Sequence, residues 1–213
     1  IIIGIYGQDG SYLAEFLIKK KYFVYGITNK IKKVDYFKKY KKNLKISKIS
    51  INNFKSISTF IKKISPDEIY HLGSQSYINH DFDSEFFKLN PNINGTNFLL
   101  AAIKKFSPKT KFYFAGTSEI FGNAKEEPQN ESTQFNPRSA YGISKLAGYH
   151  LTKNYREAYG IFACSGILYN HESPRRGSYF VTKKIVESAA RIKKGLDKKI
   201  NFTFVSTDQI ILD

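Results

Sequence analysis

Methionine is absent from the 213 residues, cysteine occurs once, at Cys164, and proline only six times. A lone cysteine excludes an internal disulfide. No apolar run approaches the roughly 18 residues that a membrane-spanning helix requires, so no membrane partner is expected. No secretory leader pattern stands at the start, which makes the cytoplasm the expected compartment, and no metal is expected. The chain opens on Ile1-Ile2-Ile3, which reads as a strand already under way, and stops at Ile210-Ile211-Leu212-Asp213 without a terminating signal. With methionine missing as well, the chain is expected to be a piece of a longer protein.

Acidic residues are also scarce: 18 against 34 lysines and arginines, a formal net charge of +16. Such an excess suits a polyanionic partner. However, lysine, isoleucine and asparagine are abundant throughout, many lysines fall on solvated helix faces, and no nucleic-acid module is recognisable, so nucleic acid is not an expected partner. The densest basic stretch, Lys30 to Lys48, either serves a phosphate or is simply a solvated face. What the chain does hold is 41% hydrophobic and 15% aromatic residues, enough to bury one full core and the beginning of a second region.

Strand and helix signals alternate, which predicts a parallel sheet covered by helices. Strands are expected at Ile1–Ile5, Phe23–Thr28, Leu44–Ile49, Glu68–Leu72, Lys111–Gly116 and Phe162–Leu168. Helices are expected at Ser11–Lys20, Phe54–Ile64, Gly95–Lys105, Ala140–Tyr159 and Phe180–Lys194. The pattern describes a Rossmann-like, doubly wound α/β fold over residues 1–168. Residues 169–213 form only the start of a smaller substrate region.

Gly4, Gly7 and Gly10 follow the first strand and open a helix, where glycines let the backbone approach a pyrophosphate. Three glycines also make an ordinary tight turn, and Asp9 suits the positive end of the helix without any ligand. Past the second strand stand Thr28, Asn29, Lys30 and Ile31, with no carboxylate before Asp35. A carboxylate there would accept from a free ribose hydroxyl and a lysine would welcome a phosphate; with Lys30 and Lys32 available NADP is favoured over NAD, and Lys30 is either the candidate contact or a plain surface lysine.

Downstream lie Thr117, Glu119, Tyr141 and Lys145. Tyr-x-x-x-Lys on a helix puts both side chains on one face, where the ammonium lowers the phenol's pKa and also reaches a nicotinamide ribose. Taken singly, each of the four has an ordinary structural role; their joint spacing is what points to hydride and proton chemistry. Glu119 adds a carboxylate that a simple dehydrogenase does not need.

Four strings carry a more specific signal: Gly4-Ile-Tyr-Gly7-Gln8-Asp9-Gly10-Ser-Tyr-Leu-Ala-Glu-Phe-Leu, Leu72-Gly73-Ser74-Gln75-Ser76, Lys111-Phe-Tyr-Phe-Ala-Gly-Thr117-Ser-Glu119-Ile-Phe-Gly122, and Asn170-His171-Glu172-Ser173-Pro174-Arg175-Arg176-Gly177. In these the chain resembles the GDP-mannose 4,6-dehydratases, extended short-chain dehydrogenase/reductases of the epimerase/dehydratase group. The resemblance runs to about Gly195. It implies that Gly4, Gly7, Gln8, Asp9, Gly10, Leu72 to Ser76, Lys145, His171 and Arg176 contact the cofactor. It also implies that Asn170, Val181 and Lys184 hold a GDP-sugar and that Thr117, Glu119, Tyr141 and Lys145 are catalytic.

In the implied reaction Tyr141 takes the proton of the sugar's C4 hydroxyl as hydride passes to NADP, with Thr117 holding that oxygen. Glu119 then removes the acidified C5 proton and assists loss of water from C6. The resemblance further implies a homodimer or homotetramer. Where the family has a threonine, two arginines and an aspartate, this chain has Ile3, Asn29, Lys30 and Ser50, and no arginine follows Arg191. Within the same fold, a GDP-heptose dehydratase or a nucleotide-sugar epimerase or reductase remains an alternative. A catalytically silent nucleotide binder is an alternative of another class.

Overall fold

Six short apolar segments pair side by side as parallel strands in the order β3-β2-β1-β4-β5-β6. They are β1 Ile2–Ile3, β2 Val24–Thr28, β3 Leu44–Lys48, β4 Glu68–His71, β5 Lys111–Ala115 and β6 Ala163–Gly166. The computed structural model describes residues 1–74 and 82–199. Register is continuous across the middle of the sheet: Ile2 lies opposite Gly26 on one side and Tyr70 on the other, and Phe112 opposite Ala163.

Alternation sends successive residues to opposite faces, and both faces are covered. Ile3, Ile27, Ile69, Phe112 and Phe114 pack with α2 (Phe54–Ile64) and α3 (Phe82–Phe106) through Ile57, Ile61, Leu99, Leu100 and Ile103. Leu151 and Tyr155 of α4 (Ala140–Tyr159) join them. On the other face Ile2 and Val24 pack with Ala14 and Leu17 of α1 (Gln8–Lys19) and with Phe37, from a 3-10 turn at Asp35–Tyr40. Strand order 3-2-1-4-5-6 with helices on both faces is the doubly wound Rossmann arrangement, as the alternation of signals predicts.

Two differences from the expected elements have physical causes. The first strand is only two residues long because the chain turns at Gly4, whose φ is +83°. The third helix begins at Phe82, not Gly95, and runs through Pro91. Pro91 and Gly95 read as helix breakers, yet Gly95 serves packing. A Cβ there would lie 2.6 Å from Ile51 Cδ1, so its absence lets α3 approach the segment after β3. By contrast α4 has the bounds its caps dictate: Ser139 Oγ accepts from Gly142 N at 3.0 Å, and Gly160, at φ +63°, ends it.

The first compact unit runs from Ile1 to Asn170, and a second begins at His171. The second carries α5, Val181–Lys193, none of whose residues is buried.

Candidate active site

Because all six strands run the same way, their carboxyl ends share one edge, and the site is assembled from the loops that leave it. At the end of β1 the backbone turns at Gly4, and Gly7 N donates to Gly4 O at 2.9 Å. A Cβ on Gly4 would sit 2.8 Å from Gly73 Cα, and Gly10 presses so closely on Gly4 O that no side chain fits there either. Gly7 caps α1 without a side chain. Bare backbone at the positive end of a helix, at the point where strand order reverses between β1 and β4, is a cradle with the chemistry to accept a pyrophosphate.

Leu72 N donates to Ile3 O at 3.1 Å, which carries Leu72, Gly73 and Ser74 up to the same cradle. Gln75 and Ser76 lie outside the described residues. At the end of β2, Thr28 Oγ1 accepts from Lys30 N at 3.2 Å and donates to Lys30 O at 3.0 Å, closing a turn that leaves Lys30 exposed.

The loop after β5 holds Thr117 and Glu119, two of the expected site residues. Thr117 is 8% exposed, and its Oγ1 accepts from Glu119 N at 3.3 Å, initiating a 3-10 turn over Ser118–Ile120. Glu119 keeps access to solvent on the rim of the loop, yet the protein packed around its carboxyl raises its pKa by desolvation. The first turn of α4 is seated directly on this loop: a Cβ on Gly142 would lie 2.8 Å from Glu119 O. Tyr141, half-buried, and Lys145 therefore emerge beside Thr117 and Glu119.

Lys145 is 4% exposed; its Nζ donates to Ala115 O at 2.7 Å and stands 5.8 Å from the Tyr141 ring centre and 5.0 Å from that of Phe114. Burial lowers its pKa from 10.5 to about 8. The ammonium is thus fixed at the base of the site by a backbone carbonyl and an aromatic face, and Tyr141 is within its field.

Of the remaining expected residues, Asn170 ends the first unit, exposed. His171, Arg176, Val181 and Lys184 belong to the second. There Arg176 lies with its guanidinium carbon 3.4 Å from the Phe180 ring centre and its Nε 3.5 Å from Glu172 Oε1, an ion pair without hydrogen-bond alignment, since Nε is buried without a hydrogen-bond acceptor. Val181 is 52% exposed.

Phe114 and the polar residues buried behind α4, His71, Thr96 and Ser144, are not among the residues expected from the sequence. Their signal was a polar residue in an otherwise apolar, inward position, and Ser144 stands directly before Lys145. Among the described residues no group of three His, Cys, Asp or Glu is placed to hold a metal ion. No helix among them is long and apolar enough to cross a membrane.

The sequence profile of the family described as GDP-mannose 4,6 dehydratase matches residues 1–206. A GDP-mannose 4,6-dehydratase of Vibrio cholerae serotype O1 is 44% identical over 209 residues, covering 93% of this chain and 56% of that protein. The human GDP-mannose 4,6 dehydratase is 42% identical over 207 residues, covering 92% and 56%. The chain therefore spans a little over half the length of these relatives. Among solved structures, the Bordetella bronchiseptica enzyme WbmH in complex with NAD+ superposes with a TM-score of 0.72 at 26% identity, covering 91% of this chain and 62% of that one.

Proposed function

The chain belongs to the GDP-mannose 4,6-dehydratase family, and from that premise we propose that the protein carrying it removes water from GDP-mannose, leaving a 4-keto-6-deoxy sugar. The observation that carries this reading is the buried Lys145 ammonium, 2.7 Å from Ala115 O and 5.8 Å from the Tyr141 ring centre, beside the Thr117–Glu119 turn.

The bare backbone of Gly4 and Gly10, where a Cβ would collide, and of Gly73, where one would be tightly crowded, fits a dinucleotide's pyrophosphate. Lys30 beyond β2, with no carboxylate before Asp35, favours NADP over NAD. When bound, that group supplies an acceptor for the hydride from sugar C4 and returns the hydride at C6.

The protein's own residues handle the protons. Lys145 holds Tyr141 ready to accept the proton of the C4 hydroxyl, because a fixed positive charge favours the phenolate. Thr117 Oγ1 spends an acceptor lone pair on Glu119 N, so its own proton is available to donate to the sugar oxygen. Oxidation at C4 acidifies the C5 proton, and Glu119, whose pKa is raised by desolvation, is suited first to take that proton and then to protonate the departing C6 oxygen. Asn170, His171, Arg176, Val181 and Lys184 are proposed to complete the cofactor and GDP-sugar contacts, as the family resemblance implies.

The test is mass spectrometry of GDP-mannose incubated with the whole natural protein and trace NADP. The expected result is a product lighter by one water, lost in Glu119→Gln by about 100-fold or more. GDP-mannose returned unchanged by a folded protein that binds NADP removes the mannose assignment in favour of a GDP-heptose substrate or a silent binder.

A further inference from the structure

Behind α4 a file of polar groups, buried except for the half-buried Asn92, runs from the sheet to the backbone of Tyr141. His71 of β4 is 2% exposed between the Phe112 and Phe114 rings, 6.4 and 5.7 Å away centre to centre, and its Nε2 is 3.2 Å from Thr96 Oγ1. Thr96 Oγ1 donates to Asn92 O at 2.9 Å within α3. Asn92 Nδ2 in turn donates across to Ser144 Oγ of α4 at 3.2 Å, and Ser144 Oγ donates to Tyr141 O at 2.8 Å.

A hydroxyl has a single proton, and that fact gives the file a direction. The Thr96 proton goes to Asn92 O, so Thr96 only accepts from histidine, and His71 must carry its proton on Nε2. The Ser144 proton goes to Tyr141 O, so Ser144 only accepts from Asn92, whose amide nitrogen must therefore face α4. One tautomer and one amide orientation satisfy the whole file. His71 Nδ1 is left as a bare acceptor without a partner among the described residues. Burial and the nearby Lys145 hold the His71 pKa down at about 3, so the file keeps its direction through the neutral range.

Ser144 Oγ meets α3 at Asn92, whereas Lys145, one residue on and so about 100° further round α4, reaches β5 at Ala115 O; Tyr141, one turn before Lys145, shares its side of the helix. The Asn92–Ser144 bond thus fixes the rotation of α4 about its own axis, and Lys145 Nζ on Ala115 O fixes it against β5 at a second point. We propose that Ser144, held by Asn92 and backed by Thr96 and His71, is a positioning residue that sets the Tyr141–Lys145 pair at its working separation.

The inference rests on the dehydratase reading for what Tyr141 does, but not for where it sits. The experiment measures kcat and KM for water loss from GDP-mannose in the whole natural protein and in Ser144→Ala, Thr96→Val and Thr96→Ser. Alongside it, the 13Cζ resonance of Tyr141, located by its loss in Tyr141→Phe, is titrated without substrate. Ser144→Ala is expected to lower kcat about 10-fold with KM within about 2-fold, and to move the Tyr141 midpoint upward as the ammonium drifts away. Thr96→Val is expected to do the same more weakly, and Thr96→Ser, which keeps the hydroxyl, to restore the parent values. Variants that lose thermal stability but keep the parent kcat and Tyr141 midpoint overturn the proposal. If the natural protein does not dehydrate GDP-mannose, the dehydratase reading falls by itself. The Tyr141 midpoint then decides: a displaced midpoint in Ser144→Ala sustains the positioning role, and an unmoved one ends it.

Discussion

Burying an ammonium removes the hydration that stabilises its charge, and Lys145 shows the cost: 4% exposed, with its pKa lowered from 10.5 to about 8. A shift of that size corresponds to roughly 3 kcal/mol of destabilisation at neutral pH. Removing the side chain also orphans Ala115 O, which costs about 1–3 kcal/mol. Lys145→Met is therefore expected to abolish water loss while leaving the protein as stable as the parent at pH 7, or about 1 kcal/mol more so. Because the folded-state pKa lies below the unfolded one, the unfolded chain binds the extra proton, and the parent regains stability as pH rises from about 8 to 10.5. Melting temperatures of parent and variant, compared across that range, should converge and then cross. Thr117→Val keeps the shape but removes the hydroxyl. It is expected to lower kcat by about 10- to 100-fold and to leave NADP affinity unchanged by titration.

Glycines in this chain act through different causes, and one substitution separates them. Gly10→Ala drives a methyl into Gly4 O; loss of roughly 3 kcal/mol or more is expected in denaturant titration, together with loss of NADP binding. Gly160→Ala meets nothing within 4 Å but sits at φ +63°. It should cost only about 1 kcal/mol and leave NADP binding intact. The six strands and α4 were legible in the sequence because each is bounded by signals that act locally, such as Ser139 and Gly160 around α4. The first half of α3 was not, since Pro91 and Gly95 are breakers by propensity, and only the neighbouring Ile51 reveals why Gly95 belongs inside a helix. The 3-10 turn at Asp35–Tyr40 was hidden in the same way: a lysine-rich stretch reads as solvated surface, while Phe37 within it is 6% exposed against the α1 side of the sheet. Spacing singles out Thr117, Glu119, Tyr141 and Lys145 as candidates, and folding brings Lys145 to the loop after β5, its Nζ on Ala115 O. The file from His71 to Ser144 was not legible, because its members lie on three elements and are joined only by folding.

At the scale of the whole chain, the charge of +16 bears on the proposed ligands as well as on solubility. The proposed ligands, a GDP-sugar with two phosphates and NADP with three, would both be drawn towards such a surface, and the attraction would be screened as salt rises. The expected outcome is a several-fold fall in kcat/KM for GDP-mannose between about 0.05 and 0.5 M sodium chloride, with kcat nearly constant; equal kcat/KM at both would show that the lysines do not steer.

Gly4 and Gly73 meet backbone to backbone at the reversal of strand order, with no side chain between them. Two main chains in contact have no rotamers to exchange and no methyl to trim. The spacing of the loops after β1 and β4 is therefore a gauge set by main-chain van der Waals contact, and variation in the surrounding side chains can retune what lies along the crevice but not how closely the two loops approach at that point.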